Sequence, residues 1–255
     1  EANDATYCGP KSSGWVSGLA LGIAPSDPQS NMMAAWFTND FNRFFKDLAG
    51  NNNKEWFDAE RKRYEASVKE PFTAFVAEVI VRIAKKDRSV AIGSKDAIFR
   101  INRDIRFSKD KTPYKLEASA LVSSEGRKGM ATPGIYFALG PEAVRIYGGC
   151  YLPDRDQLHR IRTAIARDGS GLRKAIGGKA FKERFGAIQG EVNKVLPAEF
   201  KKAAQEEPLI ANKQFYVGTE KPARLVTDPA LLDVVLEHWS AMAPLNAWLT
   251  GALRA

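Results

Sequence analysis

The sequence predicts an α+β fold: an antiparallel meander of about four or five strands, flanked by helices on its N-terminal and C-terminal sides. Two observations carry that expectation. Apolar residues recur at helical spacing before about residue 85 and again after about residue 154, whereas between 97 and 146 they alternate with period two. Short turn sequences, too brief for crossover helices, separate the alternating runs, which is the pattern of strands joined by hairpins.

Thr38 or Asn39 is placed to cap a first helix, in which Phe41, Phe44, Phe45 and Leu48 fall on one face and which Gly50 ends. After the turn Asn51–Asn53, Asn53 can cap a second helix carrying Trp56, Phe57, Tyr64 and Val68 and stopping before Pro71. Proline at a first position then opens a third, striped with Phe72, Phe75, Val76, Val79, Ile80 and Ile83. The period then changes. Ala97, Phe99 and Ile101 alternate with Ile98, Arg100 and Asn102, which reads as a strand with one polar face. Leu116, Ala118, Ala120 and Val122 form another, followed by the turn Glu125-Gly126, then Ile135, Phe137 and Leu139, and after Gly140-Pro141-Glu142 the pair Val144 and Ile146. Asp154 and Gln157 make a capping box ahead of Leu158, Ile161 and Ile165. Residues 170–207 are helical in glycine-broken patches, and Phe215–Val217 add a short strand. Asp228-Pro229 starts a last helix that packs Leu232, Val235, Leu236, Trp239 and Met242 inward and is kinked or restarted at Pro244.

Residues 1–32, rich in Gly, Ser, Pro and Asn, read as a poorly ordered leader ahead of a single domain over 33–255, with a natural start near Met32 or Met33. The apolar stretch Trp15–Ala24 admits a signal peptide as the other reading. Apolar residues make up 44% and charged residues 27% of the 255, ordinary values that exclude disorder over the whole length. No run reaches the roughly 18 apolar residues of a membrane span. Cys8 and Cys150 have neither metal-site spacing nor a disulfide framework, which fits a reducing cytoplasm. No serine-hydrolase elbow, phosphate loop, dinucleotide glycine motif, HExxH or CxxC occurs, so neither metal nor cofactor is expected.

The net charge is +8, and because Glu1, Asp4 and Asp27 outnumber Lys11 in the first 32 residues the remainder carries +10. That excess points to an anionic partner: a phosphate- or carboxylate-bearing small molecule, or nucleic acid. The charge is densest from Phe99 to Lys115, where Arg100, Arg103, Arg106, Lys109, Lys111 and Lys115 are set among Asp104, Asp110, Phe107 and Tyr114. Arginine forks and lysine point charges suit phosphate and carboxylate, so these six residues, with Asn53, Lys54, Trp56 and Arg61 upstream, are the expected ligand-binding set of a basic polar pocket. If the site is catalytic, Asp104, Asp110, Lys109 and Tyr114 are the acid–base candidates. Alternating Arg and Asp is equally what a structural ion-pair network looks like. Aromatics interleaved with cations would also suit nucleic acid. His159, His238 and Cys150 read as structural, and Trp36, Phe37, Phe41, Phe44 and Phe45 as core or, alternatively, as an interaction edge.

The stretch RFSKDKTPYK, with IFRINRD before it and NNNKEWFDAERKRYEASVKEP upstream, resembles the bacterial and fungal family of domain of unknown function 2461. The later IYGGCYLPDRDQLHRIR is similar to the same family, and the likeness covers roughly residues 36–253. The resemblance implies a cytoplasmic single-domain protein with no established activity.

Overall fold

The computed structural model describes residues 35–255, so the expected leader and Cys8 lie outside the described residues. Helix α1 (Asn39–Gly50) begins at Thr38, whose hydroxyl accepts from the Asp40 N–H at 3.3 Å. Helix α2 (Lys54–Ala59) begins at Asn53, whose carboxamide oxygen accepts from the Trp56 N–H at 2.9 Å. Each side chain satisfies a backbone donor that the helix itself leaves free.

Helix α3 (Arg61–Tyr64), a π-helical turn (Glu65–Lys69) and α4 (Glu70–Ala84) then follow without a break. The expected stop before Pro71 is therefore corrected. In the π turn the Glu70 N–H bonds back to the Glu65 carbonyl, and this wider turn makes room at carbonyls that a proline ring would strike in a regular helix.

After α5 (Ser94–Ala97) come β1 (Ala118–Val122), β2 (Gly134–Leu139) and β3 (Ala143–Cys150). Helices α6 (Arg155–Arg167), α7 (Ser170–Ile176), α8 (Lys179–Phe185) and α9 (Ala203–Glu206) precede β4 (Phe215–Pro222). The four strands form one antiparallel sheet in the order β1-β2-β3-β4, which is the expected meander. The strand expected at 97–102 is not a member: Ala97 ends α5, and only single bridges, Ile98 with Ala120 and Asn102 with Tyr114, tie the following residues to neighbours. Helix α10 (Leu231–Arg254) runs through Pro244 as one element. Among the described residues no helix is long and apolar enough to cross a membrane.

Alternation along the strands sends Ile135, Phe137, Val144, Ile146, Phe215 and Val217 to one face, all fully buried. Helices α4 and α10 cover that face. The Phe137 ring stands perpendicular to Phe75 at 5.7 Å and meets Phe72 at 6.1 Å. Gly148 lets α10 approach closely, because a Cβ there would lie 2.0 Å from the Met242 sulfur. Phe37, Phe41, Phe44 and Phe45 are buried in the same core, and Trp36 packs edge-on against Phe75 at 5.6 Å, so these aromatics form core and not an exposed edge.

Phe137→Ala removes the ring on which the sheet and α4 meet. The expected cost is about 3–5 kcal/mol, seen as a fall of about 1–2 M in the urea midpoint; an unchanged midpoint would show that the helices are held elsewhere.

Candidate functional site

The residues between α5 and β1 fold as a long hairpin along the edge of β1. The Phe99 N–H donates to the Ser119 carbonyl at 2.9 Å, and within the hairpin Arg103 N–H reaches Pro113 O and Lys115 N–H reaches Ile101 O, both at 2.8 Å. Asn52, in the turn between α1 and α2, fastens it from below. Its carboxamide oxygen accepts from the Tyr114 N–H at 3.0 Å and its NH2 donates to the Tyr114 carbonyl at 2.9 Å. The buried Tyr114 ring stacks on Phe57 of α2 with centroids 4.1 Å apart and planes 19° from parallel. Tyr114 is thus pinned by backbone and ring together, and the direction of Lys115 is fixed with it.

The expected basic set is distributed along this hairpin, most of it in local pairs. Arg106 holds Asp104 through two bonds, at 2.9 and 2.7 Å. Arg103 pairs with Asp110 and Thr112, and Lys111 donates to the Ile105 carbonyl at 2.9 Å. Hydrogen bonds from Arg106 draw Asp104 down to about 2, and those of the Thr112 backbone and Arg103 do the same for Asp110. Both carboxylates stay ionised at neutral pH and act on their arginines. Upstream, Asn53 is the α2 cap, Lys54 and Arg61 both pair with Asp58, and Trp56 packs against Phe44 at 5.6 Å. Arg100 and Lys109 are exposed and make no ion pair among the described residues. Phe107, at the hairpin tip, is 95% exposed beside Arg106.

Lys115 is different. It is half-buried, its ammonium lies 5.1 Å from the centre of the Phe99 ring, and no carboxylate among the described residues comes within ion-pair distance. Burial draws its pKa below the ordinary lysine value, the Glu117 charge opposes this, and Arg100 adds to the lowering. Lys115 lines two hollows. On one side is a polar hollow of about 520 Å3 in which Arg103 and Arg145 face Asp110, Glu117 and Glu142. Arg145 is taken up there, reaching Glu117 at 2.6 Å and Glu220 at 3.0 Å.

On the other side is a hollow of about 450 Å3 on the sheet face opposite the one that α4 and α10 cover. Its floor is a row of rings crossing the strands, Phe99, Tyr136, Tyr147, Tyr216 and Tyr151, with successive centroids between 5.2 and 6.4 Å apart. The register produces the row, since Tyr136 is paired with Tyr147 across β2 and β3. Gly218 makes room for it: a Cβ on Gly218 would fall 2.0 Å from the Tyr147 ring. Burial raises the pKa of Tyr136 and Tyr147, so their hydroxyls remain protonated at neutral pH. Sequence reasoning did not pick out these tyrosines. The available signal was their outward parity, since Tyr136 alternates with Ile135 and Phe137, and Tyr147 with Ile146 and Gly148.

The remaining sequence candidates are structural in their surroundings. Cys150 is fully buried, and burial pushes its thiol up to about 12. His238 is buried with Nδ1 donating to the Val234 carbonyl at 2.6 Å, and burial lowers its pKa. His159 is exposed, its ring against Phe200 at 5.4 Å. Among the described residues no group of three or more His, Cys, Asp and Glu side chains could hold a metal ion.

The family model described as "Conserved hypothetical protein (DUF2461)" matches residues 40–248. No curated protein and no solved structure matches the chain.

Asn52→Ala leaves a donor and an acceptor of Tyr114 without partners in a half-covered position. A loss of about 2 kcal/mol is expected, read from urea unfolding, together with faster proteolysis of the segment 98–115. Wild-type resistance in that segment would mean that the Tyr114–Phe57 stack alone holds the hairpin.

Proposed function

The chain belongs to the conserved hypothetical family DUF2461, and we propose that it binds a small planar molecule bearing a phosphate or carboxylate in the tyrosine-floored hollow, with Lys115 as counter-ion. The observation that carries this reading is the state of Lys115: a half-buried ammonium without a carboxylate partner among the described residues, at the wall of a hollow large enough for a small ligand. Holding a charge partly out of water without a partner is costly, and an entering anion would offset that cost. The rings supply the complementary part, because aromatic faces and edges favour flat ligands over branched ones.

The placement of the two sequence stretches most like the family supports the same reading. Phe99 and Lys115 come from the first stretch and its lead-in, and Tyr147, Gly148, Gly149 and Tyr151 from the second; both line this hollow. The binding of an anionic ligand expected from the sequence is kept, but with one central cation, since Arg103 and Arg106 are already held by carboxylates. The reading includes a reducing compartment, the cytoplasm, which Cys150, buried and unpaired among the described residues, supports.

Adenosine 5′-monophosphate, flavin mononucleotide and pyridoxine 5′-phosphate cover planar phosphates of increasing and decreasing size. At least one is expected to raise the melting temperature by about 5–10 °C near 100-fold its dissociation constant, the size set by mass action for a domain of this length. Lys115→Met should abolish the shift and Lys115→Arg should retain it. The wild-type affinity should hold at neutral pH and fall as pH rises through the lowered Lys115 pKa, before ordinary lysines titrate. A shift identical in Lys115→Met, or none with any of the three, overturns the proposal. Binding to a single-stranded oligonucleotide that weakens steeply with salt would move the reading to nucleic acid.

A further inference from the structure

Lys115 has a second property that a counter-ion does not need. It lines two hollows, one aromatic and one polar, and its nitrogen stands 5.1 Å from the centre of the Phe99 ring in the wall of the aromatic one. No carboxylate among the described residues binds it, whereas Lys54 holds Asp58 and Lys213 holds Glu191. We propose that Lys115 is a condensing amine, and that the planar anionic ligand of this hollow carries an aldehyde or ketone with which the lysine nitrogen forms an imine. The inference rests on the binding reading above and names the reactive group of its ligand.

The chemistry draws on the neutral fraction of the amine, and the surroundings raise that fraction above that of an exposed lysine. Partial burial disfavours the ammonium, and the nearby Arg100 charge disfavours it further. The Phe99 ring and Glu117 act the other way, and the net shift is downward. A lysine desolvated beside another cation is a known route to an amine nucleophile. The lone pair of the neutral nitrogen adds to the carbonyl carbon, forming the C–N bond as the C=O π bond opens. One proton passes from nitrogen to oxygen, giving a carbinolamine. A second proton reaches that hydroxyl from a phenol, water departs as the C=N bond forms, and the proton left on nitrogen returns to the phenolate. The balance is amine plus carbonyl giving imine plus water, with no oxidant or reductant. The phenols of Tyr136 and Tyr147, protonated at neutral pH and lining the same hollow, are the proton donors at hand for the departing water.

Pyridoxal 5′-phosphate, which is planar, anionic and an aldehyde, is the probe; pyridoxine 5′-phosphate is its counterpart without the carbonyl. Full-length protein is incubated with the aldehyde, reduced with borohydride and mapped by peptide mass spectrometry. Lys115 is expected to be labelled first, several-fold ahead of exposed lysines such as Lys109, with an imine absorption band before reduction. Its labelling should reach half its maximum at lower pH than theirs. Lys115→Arg should lose the band while keeping the wild-type melting temperature, and pyridoxine 5′-phosphate should protect Lys115 in the wild type. Labelling spread evenly over the surface lysines, or a band that persists in Lys115→Arg, overturns the imine. If pyridoxine 5′-phosphate raises the melting temperature but the aldehyde is not trapped on Lys115, the imine falls and the binding reading stands. If none of the three phosphates gives a shift and the aldehyde is not trapped, both fall.

Discussion

The carboxamide of Asn52 holds the backbone of Tyr114 by both of its edges, and the geometry of the candidate site depends on this contact. The two residues are 62 positions apart, so the contact closes a loop that contains α2, α3, α4 and α5. Closing so long a loop costs little more than closing a short one, because the entropy grows only with the logarithm of length. What the clamp adds is orientation. With Tyr114 stacked on Phe57, the chain runs on to the sheet edge through Lys115, whose N–H bonds to the Ile101 carbonyl. A lysine carried on a free loop would sample water, whereas this one is held against Phe99 with part of its charge out of solvent. The helical layer and the sheet thus meet twice: in the apolar core around Phe137, and at a polar clasp beside the hollow.

The dense charge of residues 99–115 shows how sequence proximity and spatial convergence differ. Arg106 and Asp104 are two apart, Arg103 and Asp110 seven apart, and each pair closes on itself within the hairpin. Such short-range pairs stiffen a turn and lower the carboxylate pKa, yet on an exposed loop they contribute little to stability. Cations spent in this way have little left for a ligand. Lys115 differs because it follows the clamp and enters the sheet edge, where the nearby Glu117 is already bonded to Arg145.

Much of the fold was legible in the sequence, and the reasons are specific. The stripes of α1, α4 and α10 have periods that only a helix satisfies, and the alternation in β1 to β3 is bounded by turn residues on both sides. The failure at 97–102 is equally physical. Phe99 and Ile101 alternate as a strand would, but pairing is decided by which backbone lies alongside, and the hairpin takes up Ile101 and Arg103 itself. Pro71 misled for a related reason, since nothing in the composition of Glu65–Lys69 announces a π turn. The site was legible only in part. Lys115 stood among the expected cations, whereas Tyr136 and Tyr147 carried only their parity against Ile135, Phe137 and Ile146. Which of the two parities α4 and α10 cover is decided by long-range packing that no local pattern shows.

Met242 offers a last point. Its sulfur occupies the space that a side chain on Gly148 would otherwise fill, and it is wholly screened from solvent by the sheet on one side and α10 on the other. An oxidant must therefore wait for the chain to open before it can reach that thioether. A polar sulfoxide formed during such an opening would then meet a seat with no spare room. Damage at this one atom would accordingly be registered as a failure to close the barrier between helix and sheet, well before any effect on the tyrosine face opposite.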